Sequence, residues 1–175
     1  MLTRRQLIKT GAVGAVALVA AAYLAGPAEE RTVLGAQPLG FLTSHDMPIV
    51  RAIAPAMLGL APGGANPSLD ELVAGVDKAI LALPIAVQQE VRELFDLLQN
   101  RWLRRWLAGV HSPWADVRPD EAAAFLARWQ DGAFVLLRTG YQALHKLINA
   151  AWYGNPKSWA GIGYQQPARV MEVLP

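Results

Sequence analysis

The sequence predicts an all-α protein: a single compact domain of about five helices, preceded by an N-terminal signal helix and closed by an irregular aromatic C-terminal tail. Three observations carry that expectation. Apolar residues recur at i, i+3, i+4 and i+7 over several segments, the period of one buried helix face. Nowhere does a sustained run of β-branched residues alternate with polar ones, as a half-buried strand requires. Gly, Pro, Asn and Ser fall between the periodic segments, where helices stop and start.

Residues 1–28 read as an export label. Thr3-Arg4-Arg5-Gln6-Leu7-Ile8-Lys9 leads into an uncharged run, Thr10 to Ala28, rich in Ala, Gly and Val. A basic n-region ahead of an apolar h-region is the pattern of a signal peptide. This one closely resembles a twin-arginine signal, usually Ser/Thr-Arg-Arg-x-Phe-Leu-Lys, with Leu7 and Ile8 in the two apolar positions. Arg4, Arg5, Leu7 and Lys9 are the residues expected to carry it, and the twin-arginine translocase is the receptor it implies. Adjacent guanidiniums suit bidentate reading by carboxylates, which Lys does not reproduce. A general secretory signal competes, but Gly11 and Gly14 lower the hydrophobicity of the run. As a helix the 19 residues from Thr10 to Ala28 would span roughly 28 Å, about the hydrocarbon thickness, so a retained membrane anchor stays open. Small-x-small cleavage sites stand at Ala20-Ala21-Ala22 and Gly26-Pro27-Ala28. The expected location is periplasmic.

The remaining residues suffice for one real core. The formal charge is +2, of which Arg4, Arg5 and Lys9 supply three positive charges, leaving −1 for everything after Ala28. That balance gives a nucleic-acid role no electrostatic support. There is no cysteine, which excludes disulfides, thiolate metal sites and cysteine nucleophiles. An exported chain without disulfides depends on packing alone and can fold before it leaves the cytoplasm, the circumstance that twin-arginine export serves.

Residues 29–43 read as a polar linker and 44–175 as the helical domain. A first helix starts near Ser44 with Pro48 in its first turn, Ile49, Ile53 and Met57 as its buried stripe and Pro55 as an interruption or kink. Gly59 to Pro67 is a loop. Ser68-Leu69-Asp70-Glu71 has capping-box spacing, and Leu69, Leu72, Val73, Val76, Ile80 and Leu83 keep helical period up to Pro84. A longer helix is expected from about Ile85 to Ala108, with Val87, Val91, Leu94, Phe95, Leu98, Trp102 and Trp106 on one face and Gly109 ending it. Arg101, Arg104 and Arg105 interleave with the two tryptophans. Such a mixture can form an anion or nucleic-acid site. The reading preferred here puts the tryptophans in the core or at a partner surface, with the arginines reaching outward. After the loop Gly109–Arg118, Pro119-Asp120-Glu121 opens a helix that buries Phe125, Leu126 and Trp129. Asp131-Gly132 breaks or bends it, and the pattern resumes with Phe134, Leu137, Tyr141, Leu144, Ile148 and Trp152. From Gly154 onward the glycines and prolines predict irregular chain.

The sequence offers no catalytic constellation. His45, His111 and His145 lie far apart and none has a second ligand at metal spacing. Ser112, Ser158, Asp116 and Asp131 sit in no nucleophile context. No glycine fingerprint follows a strand. Neither a catalytic residue, a metal nor a cofactor is therefore assigned to this chain.

The densest cluster is Trp152-Tyr153-Gly154-Asn155-Pro156-Lys157-Ser158-Trp159 followed by Gly163-Tyr164. Its physics is a helix end, a Gly-Asn-Pro turn and closely spaced aromatics. These either strap the tail over the helices or anchor a partner, since Trp and Tyr dominate interface hot spots. The segment resembles the C-terminal signature of the gluconate 2-dehydrogenase subunit 3 family. The Arg4-Arg5 signal, the helix Leu69–Leu83 leading into Leu83-Pro84, and Ala127-Arg128-Trp129 are further points of similarity, while Pro48 and Pro55 depart from the family's smoother first helix.

The resemblance implies a non-catalytic small subunit. Its partner would be a large FAD-binding subunit of glucose–methanol–choline type that oxidises an alcohol, sugar or sugar acid. FAD would sit in that partner, and a cytochrome c subunit or a membrane quinone would take the electrons. The small subunit would support the partner's maturation and stability and, through its signal, its export in the folded state. Trp152, Tyr153, Asn155, Pro156, Trp159 and Tyr164 would shape or contact the interface. The alternative is a stand-alone exported or membrane-tethered helical binding protein whose aromatic tail closes a pocket.

Overall fold

Two carboxylates sealed from water set where the chain enters its first helix. The computed structural model describes residues 39–60 and 67–164. Among them every regular element is helical and none is a strand. The order is α1 (Met47–Leu58), α2 (Leu69–Leu81), α3 (Ile85–Gln99), α4 (Arg101–Leu103), a π turn (Arg104–Ala108), a 3-10 turn (Trp114–Asp116), α5 (Pro119–Gln130), α6 (Val135–Tyr153), α7 (Pro156–Trp159) and a final 3-10 turn (Ala160–Ile162). Helix α1 is central, with Ile49, Val50, Ile53 and Ala54 buried against α5, α6 and α2. Helix α2 packs along α6, and α6 in turn packs on α5. Seven α-helical segments stand among the described residues where about five were expected, because the unit Ile85–Ala108 is divided and the tail adds a short helix at Pro156–Trp159.

Asp46 is fully buried and accepts five hydrogen bonds. Thr43 donates its N–H and hydroxyl, both at 2.8 Å. Arg92 of α3 donates from Nη1 at 2.9 Å and Nη2 at 2.6 Å, a bidentate pair, and Gln99 adds its amide. Burial pulls the Arg92 guanidinium down, but Asp46 and Asp96 outweigh it and its pKa ends above the ordinary value. Asp77 of α2 does similar work for the entering chain: it accepts the N–H groups of Gly40, Phe41 and Leu42 at 3.0, 2.9 and 2.7 Å. Part of the expected linker is therefore packed structure, with Leu42 in the core and Phe41 beneath the Arg92 guanidinium.

Helix α2 follows its sequence signals. Ser68 Oγ accepts from the Glu71 N–H while Glu71 accepts from the Ser68 N–H, the reciprocal capping box. In helix α1, Pro55, expected to interrupt or kink it, does not end it. The missing N–H falls in the last turn, so only one bond, to the Arg51 carbonyl, is forgone, and the helix runs to Leu58 before Gly59 turns left-handed.

The expected long helix from Ile85 to Ala108 is divided. Helix α3 stops at Gln99, Asn100 takes an extended conformation, and its Oδ1 accepts the N–H groups of Trp102 (3.0 Å) and Leu103 (3.2 Å) to start a new helix. The last turn then widens to π geometry and closes on Gly109 at φ 66°. Each residue of an unbroken α-helix advances the face by about 100°, so the break resets the phase. Leu98, Ala108 and Val110 remain inside, but Trp102 is 49 % exposed, Trp106 83 %, and the buried member of the Arg-Trp series is Arg104. Of the two placements expected for these tryptophans, core or partner surface, the core is overturned. Val87 likewise lies at the surface.

The loop before α5 hangs on Glu121, which accepts the N–H groups of His111 at 2.6 Å and Ser112 at 3.2 Å. Trp114 behind it donates to the Leu98 carbonyl and meets Phe125 edge-on, and Phe125 meets Trp129 at 4.8 Å. As expected, Phe125, Leu126 and Trp129 are buried. The stretch 131–134 does break the helix. Phe134, expected on the buried stripe, precedes α6 and is 72 % exposed. Along α6, Leu137, Leu144, Ile148 and Trp152 are buried as read, joined by Leu147 and Ala151.

Two predictions follow from these carboxylates. Arg92→Ala strands a fully buried Asp46 charge and should cost about 3 kcal/mol in a urea titration of the whole chain. Desolvation raises the Glu121 pKa, but the His111 and Ser112 N–H groups outweigh it and hold the carboxyl below its usual value. A depressed carboxyl stabilises the fold above its unfolded pKa of about 4.3 and loses that contribution as pH falls through the lower folded value. Glu121→Gln should therefore lower stability at neutral pH, and the gap from wild type should close on acidification below about pH 4.

Candidate functional site

The aromatic segment forms a tight corner between α6 and α7. Helix α6 ends at Tyr153, where the Gly154 N–H reaches the Ala150 carbonyl at 2.9 Å and the Asn155 N–H reaches the Trp152 carbonyl at 3.1 Å. A Cβ on Gly154 would stand 2.7 Å from the Ala150 oxygen, so the corner needs a residue without one. Asn155 caps α7, its Oδ1 accepting the Lys157 N–H at 3.0 Å, and Pro156 occupies the first turn, where no N–H is needed. The tail is thus helical through Ile162, a correction to the irregular chain expected from Gly154 onward. Its glycines and prolines punctuate short turns instead of preventing them.

Sequence reasoning treated Ser158 only as a nucleophile without a partner. It is 1 % exposed, and its Oγ lies 2.8 Å from both the Trp152 and Asn155 carbonyls, so its hydroxyl satisfies the end of α6. Its position two residues after an Asn-Pro step, in the first turn of a helix, was the signal available for this role. Trp159 folds back and donates from Nε1 to the Tyr153 carbonyl at 2.7 Å, and Tyr164 meets the Trp159 ring edge-on at 5.3 Å. Lys157 pairs with Glu71, tying the corner to the first turn of α2. The Lys157 hydrogen bond, with the Ser68 N–H, holds the exposed Glu71 carboxyl below its ordinary pKa.

Of the six residues assigned to this region, Trp152 is in the core. Asn155 and Pro156 build the turn. Tyr153 and Tyr164 are half exposed, at 49 % and 50 %, and Trp159 is partly buried. The corner presents two phenols on a hydrogen-bonded frame, a surface suited to contact. Arg4, Arg5, Leu7 and Lys9, with the whole 1–28 segment, lie outside the described residues. Among the described residues no group of His, Asp and Glu gathers at metal-binding distance, and no helix is long and apolar enough to cross a membrane. His145 is exposed and stacks on Tyr141 at 5.7 Å.

No family model, curated protein or solved structure matches the chain.

The corner's rigidity is testable. Asn155→Ala removes the cap of α7 and should cost about 1 kcal/mol. Hydrogen exchange should show faster exchange of the Lys157 and Ser158 amides while α1 and α2 stay protected.

Proposed function

We propose that this chain is a non-catalytic small subunit that supports maturation, stability and twin-arginine export of a periplasmic FAD-dependent oxidoreductase acting on an alcohol, sugar or sugar acid. The observation that carries the reading is the Tyr153-Gly154-Asn155-Pro156-x-x-Trp159 corner, held by its own hydrogen bonds with Tyr153 and Tyr164 turned to solvent. Large amphipathic side chains on a preorganised frame suit a protein contact, because little conformational entropy is lost on docking. The Arg4-Arg5 signal supports the export half of the reading, and the absence of cysteine is compatible with folding before transport. In this role the large subunit holds FAD and performs the chemistry. This chain supplies the address and a stabilising surface.

The reading predicts that Arg4→Lys with Arg5→Lys leaves both this chain and the flavoprotein in the cytoplasm, measured by fractionation and immunoblotting of each. Normal export of the flavoprotein beside the doubly substituted chain would dismiss the carrier role.

A further inference from the structure

Two groups of exposed apolar side chains lie at one end of the molecule. Trp102 and Trp106 are 49 % and 83 % exposed, and the consecutive Phe134, Val135 and Leu136 are 72 %, 68 % and 42 % exposed. Trp129 links the two groups from beneath. Its Nε1 donates to the Leu107 carbonyl at 3.2 Å, next to Trp106. On its other side, a Cβ on Gly140, one turn along α6 from Leu136, would stand 2.6 Å from its Cζ3. Arg128 also donates from Nη1 to the Ala108 carbonyl at 2.8 Å. The last turn of α5 is thus fastened to the π turn, and Phe134 follows it by a short connection. Single apolar residues are ordinary on a surface, but a run of three beside two indoles marks a place of contact.

We propose that this end binds a second copy of the chain across a twofold axis, with the Trp106 side of one copy on the Phe134 side of the other. Two observations select that occupant, the first being area. At these exposures the three aromatic side chains alone leave on the order of 400 Å² in water, taking about 200 Å² for each when whole. A standard interface takes about 800 Å² from each partner, of which roughly 60 %, about 480 Å², is apolar. Val135 and Leu136 supply the difference. The second observation is charge. Arg105 adjoins Trp106, and Asp131 stands three residues before Phe134. Both are exposed, and among the described residues neither is in an ion pair. A twofold contact sets residue i of one copy against residue j of the other and repeats the pair, so Arg105 meets Asp131 twice. An anionic lipid surface would attract the arginine and repel the carboxylate beside it. A second copy here is independent of the small-subunit role. Tyr153 lies at the far end of α6, about 27 Å along the helix, and stays open to another partner.

The test produces the full chain in its native host in two forms that carry different tags, and reads how much of one form is captured with the other. Circular dichroism of each purified variant checks folding. Wild-type copies should capture each other. Trp106→Glu with Phe134→Glu, made in both forms, should abolish that capture. Arg105→Asp alone and Asp131→Arg alone should each lower it about tenfold or more, because a twofold contact repeats every like-charge clash. The two charge substitutions together should restore it, which neither a bridging third protein nor non-specific apolar association would do. Arg105 and Asp131 are on the surface, so the charge exchange decides the matter even where the double glutamate variant loses helicity. Three outcomes overturn the proposal: no mutual capture by wild type, capture undiminished in the folded double glutamate variant, or no recovery when the charges are exchanged. Each of them leaves the small-subunit reading intact, since export of the flavoprotein is measured separately.

Discussion

A carboxylate with no access to water has to be satisfied from inside the protein, and Asp46 imposes that demand at the doorway of the central helix. Its donors come from its own turn, through Thr43, and from α3, through Arg92 and Gln99. The entry to α1 therefore cannot shift without breaking a buried ion pair, whose loss leaves an uncompensated charge. The same guanidinium lies over Phe41 and Phe95, and Asp77 holds the backbone just before it. Through two acidic side chains, the entering segment, α1, α2 and α3 become one unit. The core of Ile49, Ile53, Val76, Ile80 and Phe95 closes within it.

What that unit leaves outside is as consequential as what it buries. Helix α3 is held by Arg92 and Gln99 near its middle and end, and Trp114 seals the last turn by donating to the Leu98 carbonyl. Continuing the helix in phase would have carried Trp102 and Trp106 on the same face as Phe95 and Leu98. The Asn100 cap stops that continuation, and the wider turn after it brings Ala108 and Val110 inside instead. Space beneath this segment is already filled by Trp129, whose Nε1 donates to the Leu107 carbonyl. One indole from α5 occupies the interior, and the two from the α4 region face solvent.

The aromatic corner follows a different logic, because nearly all of its bonds are local. Gly154, Asn155, Ser158 and Trp159 each bond within six residues along the chain, and among the described residues Lys157 alone of this corner reaches another helix by an ion pair, at Glu71. Local bonds of this kind leave the turn's conformation largely to its own residues. Its outward aromatics and the exposed Trp102 and Trp106 sit on different elements, joined through α5 and α6.

Several features were legible in the sequence because local chemistry decides them. Helix α2 was set by the Ser68–Glu71 box and an uninterrupted 3.6 period. The opening of α5 was set by Pro119 with two acids, and its buried Phe125, Leu126 and Trp129 by spacing alone. The all-helical class followed from the absence of period-2 alternation. Periodicity failed at Trp102, Trp106 and Phe134, where a helix break resets the phase and apolar spacing no longer says which way is in. It was equally silent about Asp46, Asp77 and Ser158, whose partners lie on other elements or depend on the turn being made. Apolar period and start signals act within a few positions of the chain, so the sequence by itself determined the all-helical class and helices such as α2 and α5. Which aromatics reach water depends on space left by distant side chains, and only the tertiary structure decided that.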